Sequence, residues 1–181
     1  MLSYHSIAEL AEAAEKEHKK ISEIVLPDQA QEMGKTEQEI FDRMDRDIDV
    51  MLEAVNYGKR KEQRSTSGLT GGEGFRMEAY SQKTGGGLSG DIVSHAMMRA
   101  LAVAGCNASM GRIVASPTAG SCGIMPGCLL TLMEEKGYSR RDIVMSMFTA
   151  AAFGIVIATN ASIAGAQGGC QAECGSASGM T

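Results

Sequence analysis

The sequence predicts an all-α fold, and three observations support that prediction. Apolar residues recur at helical spacing through most of the chain, and no segment of any length alternates apolar and polar residues as a strand would. The chain has no Trp, 4% aromatic residues and 13 methionines, a composition that suits adaptable packing of helix on helix. Its 181 residues, 44% of them apolar, fit one core. We therefore expect a single helical domain over residues 1–181 with glycine-rich functional loops.

Residues 1–60 are predicted to form amphipathic helices. Two segments, 6–9 and 36–39, have a hydroxyl residue followed three positions later by Glu, which is the capping-box spacing at a helix start. Apolar residues then recur at the helical period after each of them. Pro27 and Gly34 are expected to separate neighbouring helices in this part of the chain.

Residues 64–90 change character, because Gly, Ser and Thr dominate there. Such a composition predicts loops, here around a short helix near residues 76–80. Residues 85–90 formally match the G-x-G-x-x-G pattern of dinucleotide-binding proteins. That fingerprint requires a buried strand before the glycines, and residues 77–82 form no such strand. A mobile loop that ends in a helix start is therefore the favoured interpretation.

The remaining part, residues 91–181, is predicted to hold the functional site. A helical pattern begins at residue 91 and is expected to break at Gly105 and Gly111. Two further helices, 124–135 and 140–159, are apolar almost all round, which predicts deep burial.

Charge and cysteine content exclude several classes of function. The net charge is −5 with both signs interspersed, so there is no basic surface for nucleic acid. No apolar run is expected to reach the length of a membrane span, and the acidic start does not match a secretory signal. A cytoplasmic protein is expected. The five cysteines are an odd number in a chain of this size, which favours free thiols or metal ligands over disulfides.

A glycine-rich turn between two predicted helices is the first candidate site. Its candidate substrate-binding residues are Ser116, Thr118, Ala119, Gly120 and Ser121. With so little side-chain bulk, backbone N–H groups near the following helix start can face an anion, and a small carboxylate substrate would fit. The alternative is a buried tight turn in which the hydroxyls of Thr118 and Ser121 cap the helix. The residues alone leave both interpretations open.

The thiols and the isolated histidine have simpler interpretations. His95 lies among apolar residues of a helix, where a structural role is commoner than a catalytic one. Cys106 and Cys128 are expected to be small buried hydrophobes, and packing is also the default for Cys122 in the glycine turn. Cys170 and Cys174, four residues apart, lie on one helical face with Glu173 beside them. That spacing alone is not a zinc or cluster signature.

Five short motifs of this chain occur in the same order in a known enzyme family. They are Leu69-Thr70-Gly71-Gly72, Leu88-Ser89-Gly90, Ser116-Pro117-Thr118-Ala119-Gly120-Ser121, Asn160-Ala161-Ser162-Ile163 and Gly168-Gly169-Cys170-Gln171-Ala172-Glu173-Cys174-Gly175-Ser176-Ala177. Together they closely resemble the alpha chain of iron–sulfur-dependent L-serine dehydratase (L-serine ammonia-lyase) of the two-subunit type. The resemblance covers nearly the whole chain, and the last three motifs are highly specific.

The resemblance implies an activity and a cofactor. Members of this family carry a [4Fe-4S] cluster held by three cysteines and convert L-serine to pyruvate and ammonia without pyridoxal phosphate. The open iron would act as a Lewis acid on the serine hydroxyl. The base that removes the α-proton is expected on the beta chain, in a histidine motif that this sequence lacks and that His95 does not match. The resemblance thus implies a hetero-oligomer of alpha and beta chains.

Carried over residue by residue, the family's metal ligands give Cys170 alone. The other two cluster ligands are expected beyond Thr181, so the 181 residues resemble the N-terminal part of an alpha chain. Cys122 and Cys174 stand where relatives often have other residues. The substrate pocket implied by the resemblance joins the turn from Ser116 to Gly123 with a helix start formed by Asn160 and Ser162.

Two other functions remain open from the sequence. A chain that lacks two cluster ligands could be a non-catalytic helical fragment with only packing or partner-binding capacity. Apolar faces left exposed would then promote oligomerisation. A related iron–sulfur lyase acting on L-cysteine would use the same open iron against a sulfur leaving group. Assays with serine, threonine and cysteine separate these possibilities.

Overall fold

The computed structural model describes residues 4–181, and all regular structure in them is helical. Eight α-helices follow in chain order: α1 (Ile7–Glu17), α2 (Ile21–Met33), α3 (Glu37–Gly58), α4 (Glu73–Thr84), α5 (Gly90–Ala108), α6 (Ile124–Lys136), α7 (Arg140–Asn160) and α8 (Gly165–Met180). Two 3-10 turns, Gly87–Ser89 and Ala119–Ser121, precede α5 and α6. No strand occurs in this part of the chain, so the all-α prediction is confirmed.

Local sequence signals start several of these helices. Thr36 accepts from the backbone N–H of Glu39, whose carboxylate accepts in return from the backbone N–H of Thr36, so the predicted capping box of α3 is complete. Ser6 likewise caps α1. Pro27, however, lies inside α2 and does not separate two helices. The neighbouring side chains of α2 are buried, and α2 packs on α7, which offsets the lost backbone hydrogen bond.

The helices form two groups that share one core. Helix α5 packs on α3, α4 and α6, and helix α7 packs on α2, α3 and α8. The core between them is aliphatic and thioether-rich, as the composition indicates. Its largest fully buried apolar side chains are Phe148, Leu10, Ile48, Met51 and Leu130. Helix α3 belongs to both groups, so it ties the first part of the chain to the helices around the candidate site.

Helices α3, α4 and α5 meet backbone to backbone. A Cβ atom on Gly58 of α3 would lie 1.8 Å from the carbonyl oxygen of Ala102 on α5. A Cβ on Gly74 of α4 would lie 2.8 Å from the carbonyl oxygen of Gly58 and 2.9 Å from the Cβ of Ala102. The two glycines therefore allow a close approach that no side chain would permit.

This approach explains why α4 is longer than predicted. The sequence indicates loops around a short helix near residues 76–80, but α4 runs from Glu73 to Thr84. Gly72 and Gly85 bound it with φ of 74° and 60°, a left-handed conformation that glycine adopts at no steric cost. Packing of its buried face on α5 stabilises a helix that its Gly- and Ser-rich surroundings do not predict.

Gly105 does not break α5, contrary to the expectation. The helix continues to Ala108 because Gly105 is a contact position for a segment before α4. The amide Nε2 of Gln63 donates to the Gly105 carbonyl oxygen over 2.8 Å, and a Cβ on Gly105 would lie 2.9 Å from Gln63 Oε1. The glycine makes room for this buried amide.

Helix α7 also departs from the expectation that no apolar run would reach the length of a membrane span. By length and composition α7 can cross a membrane, with a mean hydropathy of 1.8. In this fold it packs on α2, α3 and α8, with 44% of the apolar segment buried. A core helix satisfies the same criterion, and the face of α7 that packs on its neighbours is buried, although the helix is less deeply buried than predicted.

An ion-pair cluster joins the start of α7 to α3. The Arg140 guanidinium donates from Nε to Asp45 Oδ1 over 2.6 Å and from Nη2 to Asp45 Oδ2 over 3.0 Å. Its Nη1 lies 2.8 Å from Asp49 Oδ1. The hydrogen bonds from Arg140 lower the pKa of the Asp45 carboxyl below its usual 3.8.

We expect Asp45→Asn to lower the free energy of unfolding by about 1 kcal/mol at neutral pH, the size of a favourable exposed pair. Because the pKa of Asp45 is lower in the folded protein, its contribution is present above pH 3.8 and is lost as pH falls through the folded value. Urea unfolding at pH 7 and in acid measures the loss of stability at neutral pH and its decrease as the pH falls. Glu53→Gln is the control, because Glu53 is exposed on α3 and its side chain has no hydrogen bond or ion pair among residues 4–181. A difference from wild type that stays constant with pH would contradict the pairing.

Candidate functional site

The glycine turn is held by its own hydroxyl groups and by α5. Ser121 Oγ donates to the carbonyl oxygens of Ser116 and Thr118 over 3.4 and 3.3 Å, and it lies 3.2 Å from Thr118 Oγ1. Asn107, near the end of α5, donates from Nδ2 to the carbonyl oxygen of Ala119 over 3.0 Å. The sequence does not predict this role of Asn107, because nothing in it indicates the partner of the side chain. The Oγ of Ser116 is buried and has no hydrogen-bond partner within residues 4–181.

The alternative in which Thr118 and Ser121 cap the following helix is not what the structure has. Helix α6 begins at Ile124 with Gly123 at its N-cap position and without a side-chain cap. Gly123 packs against α5, since a Cβ there would lie 2.4 Å from the Ala100 carbonyl oxygen. The hydroxyls bond within the turn instead, and Ala119 and Gly120 at its tip are exposed.

The second predicted segment has a different local structure from the one expected. Asn160 is the last residue of α7, so it ends a helix and does not start one. Its Nδ2 donates to the carbonyl oxygens of His5 and Val156, each over 2.8 Å. Ser162 lies in the linker before α8 and donates to Gln167 Oε1 over 2.7 Å. Both side chains therefore organise the linker, and no hydrogen bond joins either one to the glycine turn within the described residues.

Helix α8 carries the predicted metal ligand. Gly169 departs from helical geometry, with φ of 69° and ψ of −174°, so the helix is interrupted just before Cys170. Cys170 is exposed, and its Sγ lies 3.6 Å from the Sγ of Cys174. The hydrogen bond with Cys170 raises the pKa of the Cys174 thiol. The two thiols share one helical face, as their spacing predicts.

The other three cysteines are packed to different degrees. Cys106 and Cys122 are buried, as expected, whereas Cys128 is only half-buried beside an apolar groove. Burial raises the pKa of the Cys122 thiol to about 11 and also raises the pKa values of Cys106 and Cys128. Cys122, although it follows the glycine turn directly, is therefore a core residue.

These differences predict the order of alkylation. Iodoacetamide reacts with thiolates that it can reach, so at pH 8 the exposed Cys170 should be modified first. Cys106 and Cys122 should stay unmodified until the protein is unfolded in urea. Mass spectrometry of the digested protein measures each site separately. Native Cys122 reacting as fast as Cys170 would contradict the burial of Cys122.

The metal-ligating side chains of the described residues can be compared with the ligands that an iron–sulfur cluster requires. Within residues 4–181 no group of three or more His, Cys, Asp or Glu side chains could hold one metal ion. Cys170 fits the role of a single thiolate ligand because it is exposed at the helix interruption. Since clusters are held by several thiolates, the described residues provide one fitting ligand and not a complete site.

His95 has a structural partner. Its Nδ1 lies 2.5 Å from Glu135 Oε1 and thereby joins α5 to α6. One turn further along α5, the buried Arg99 donates to Thr131 Oγ1 over 2.7 Å and pairs with Glu134. This pairing between α5 and α6 agrees with the interpretation of His95 as a structural residue.

Glu173 has a carboxylate that lies beside the glycine turn, a position that the sequence does not predict. The Glu173 side chain of α8 lies against Gly120 in the turn and against Gly165 at the start of α8. Sequence reasoning placed Glu173 beside the cysteines only. One feature of the sequence could have drawn attention to this residue, because Glu173 is the sole charged residue from 143 to 181.

Comparison with known proteins gives a consistent result. The family described as serine dehydratase alpha chain matches residues 16–181. The chain is 42% identical over 177 residues to a probable L-serine dehydratase alpha chain of Bacillus subtilis, covering 98% of this chain and 58% of that protein. It is 40% identical over 162 residues to the L-serine dehydratase alpha chain of Peptoniphilus asaccharolyticus, covering 89% and 55%. The chain thus spans a little over half the length of these two relatives.

Proposed function

Because this chain belongs to the serine dehydratase alpha chain family, we propose that it supplies a substrate-binding part of an L-serine dehydratase and one thiolate ligand of an iron–sulfur cluster. One observation carries this proposal. Helix α8, which bears the exposed Cys170, packs on the 3-10 turn Ala119–Ser121. The proposed ligand and the proposed pocket are thus on adjoining elements.

The turn supplies hydrogen-bond donors for the substrate carboxylate. Thr118 and Ser121 have hydroxyls that can rotate, and the buried Oγ of Ser116 has no partner within residues 4–181. A buried hydroxyl without a partner is costly, so a substrate oxygen that accepts from it would be favoured once the turn moves enough to expose Ser116 Oγ. Ala119 is exposed at the tip, and its small side chain leaves room beside it for a small amino acid.

The cofactor is proposed to be a [4Fe-4S] cluster, with Cys170 as one ligand and the others outside these 181 residues. Such a cluster, when bound, supplies a Lewis acid that makes the serine hydroxyl a better leaving group. Within this chain, Cys170 would hold the cluster beside the turn that holds the substrate. Pyridoxal phosphate has no part in the proposal.

A beta chain is the proposed partner, in a hetero-oligomer. The names of the two relatives described above include "alpha chain", which supports an enzyme of more than one chain. The base that removes the α-proton is proposed to come from that partner. His95 is bonded to Glu135 on α6 and serves the fold.

The test is an anaerobic assay of a complete alpha chain together with its beta chain. We expect pyruvate from L-serine, with iron and acid-labile sulfide in the protein, and no requirement for added pyridoxal phosphate. L-threonine and L-cysteine are compared at equal concentrations. Faster release of sulfide from L-cysteine than of pyruvate from L-serine would favour the cysteine lyase. Full activity in protein stripped of iron would overturn the cluster.

A non-catalytic, partner-binding chain is the second candidate, and one surface favours it. An apolar groove of about 500 Å³ lies between α5 and α6, lined in part by Val93, Met97 and Leu132. Val93 is 50% exposed and Met97 45% exposed. Exposed apolar surface of this kind promotes association. Analytical ultracentrifugation of the 181-residue chain tests this candidate, since a monodisperse folded monomer would count against it.

A further inference from the structure

The Glu173 carboxylate occupies a space that two glycines leave open. A Cβ on Gly120 would lie 2.5 Å from Glu173 Oε2 and 2.8 Å from Cδ. A Cβ on Gly165 would lie 2.8 Å from the same oxygen and 2.9 Å from Cδ. Neither glycine has a positive φ, so the backbone conformation does not require glycine at these two positions. The two glycines leave room for the carboxylate, and an added Cβ at either position would displace this mobile end of the Glu173 side chain.

The carboxylate has no partner in the described part of the chain. Neither oxygen accepts a hydrogen bond or joins an ion pair within residues 4–181, although Glu39, Glu73 and Glu134 all do. The Glu173 side chain is half-buried. A partly desolvated carboxylate without a donor is unfavourable, and a cation beside it would relieve that cost.

The segments around the site contain no cation that could serve. No Lys, Arg or His occurs from 113 to 135 or from 142 to 181. These two ranges include the glycine turn, the linker before α8 and all of α8. Glu173 is therefore a single negative charge in surroundings of small neutral residues, which fits a small cationic group of a ligand.

We propose that Glu173 binds the α-ammonium group of the substrate amino acid. This assignment rests on the proposed function, in which the hydroxyls of the neighbouring turn bind the substrate carboxylate. An α-amino acid carries one group of each charge on the same carbon, and the site has hydroxyl donors in the turn with a carboxylate against Gly120. Glu173 is thus a specificity residue that distinguishes amino acids from hydroxy acids.

The test is Glu173→Gln in the complete alpha chain, with its cluster and beta chain. The amide keeps the size of the side chain and removes its charge. Loss of a charge-assisted hydrogen bond predicts a KM for L-serine raised about 10- to 100-fold. L-glycerate, which has a hydroxyl where serine has its ammonium, serves as a competitive probe. Its inhibition constant should change much less than the KM for L-serine, because its neutral hydroxyl can donate to the amide oxygen of Gln as well as to the carboxylate.

Two further variants separate this role from a merely structural one. Gly120→Ala should also raise the KM for L-serine, since its Cβ would displace the carboxylate. Gly175→Ala, on α8 with open space around the added methyl, should leave KM unchanged. Iron content and visible absorption of each variant report whether the cluster is retained.

The outcomes distinguish the two proposals. An unchanged KM in Glu173→Gln, or equal weakening of serine and glycerate, would overturn the ammonium assignment while wild-type activity keeps the proposed function. A wild-type complex that contains its cluster and neither binds nor dehydrates L-serine would overturn the proposed function itself.

Discussion

Replacing Cys170 by serine in a complete alpha chain is expected to abolish cluster assembly and to lower the rate of serine dehydration by more than about 100-fold. Loss of a residue that only supports a metal ligand usually lowers activity by about 10- to 100-fold, so a larger loss is expected for the ligand itself. A serine hydroxyl at neutral pH is a poor substitute for a thiolate on iron. Cys170 is exposed at the interruption of α8, and Cys174 is the one other described thiol that lies close to it. Iron and acid-labile sulfide after anaerobic reconstitution, with the visible spectrum, measure the effect.

Cys174→Ser is the matched control. Its Sγ lies only 3.6 Å from that of Cys170 on the same helical face, so both variants disturb the local packing to a similar extent. We expect Cys174→Ser to keep its iron and its activity. If the two variants lost the cluster equally, or if only Cys174→Ser lost it, the assignment of Cys170 as the single ligand in this chain would be wrong.

Gly58→Ala is expected to have the largest effect on stability. The added Cβ would lie 1.8 Å from the Ala102 carbonyl oxygen and 2.4 Å from its carbon, both of them backbone atoms that cannot rotate away. Helices α3 and α5 would have to separate, at a cost of more than about 3 kcal/mol. Urea unfolding followed by circular dichroism measures the free energy of unfolding.

The same substitution elsewhere gives the opposite sign. Gly175 lies in α8 with no atom within 4 Å of the added Cβ, so Gly175→Ala should stabilise the helix by about 0.5–1 kcal/mol. Because helix propensity favours alanine at both positions, the difference between the two variants isolates the steric term. Equal stability of Gly58→Ala and wild type would mean that α3 and α5 are further apart than the structure has them.

Signals that act within a few residues were the ones that sequence reasoning used correctly. Ser6 with Glu9 and Thr36 with Glu39 each satisfy backbone donors at their own helix start, so α1 and α3 begin where their caps indicate. The four-residue spacing of Cys170 and Cys174 likewise fixes their neighbouring positions on one helix. Such contacts need no knowledge of the tertiary structure.

The features that the sequence does not predict correctly depend on contacts between distant segments. Gly105 continues α5 because an amide from Gln63 fits against it, and α4 extends because Gly74 packs on Ala102. The fit of Glu173 between Gly120 and Gly165 joins two separate motifs in the same way. Its unusual isolation as a charge is visible in the sequence, but the glycines that face it are not.

The bond between Asn160 and His5 has a consequence for the order of folding. It joins positions 155 residues apart. Closing so long a loop costs chain entropy that earlier packing must offset, and contacts of long sequence separation form slowly. We expect the linker before α8 to become ordered only after α7 has docked on α2. During synthesis the N-terminal helices emerge first, so we expect α1 to α3 to be in place before this linker becomes ordered.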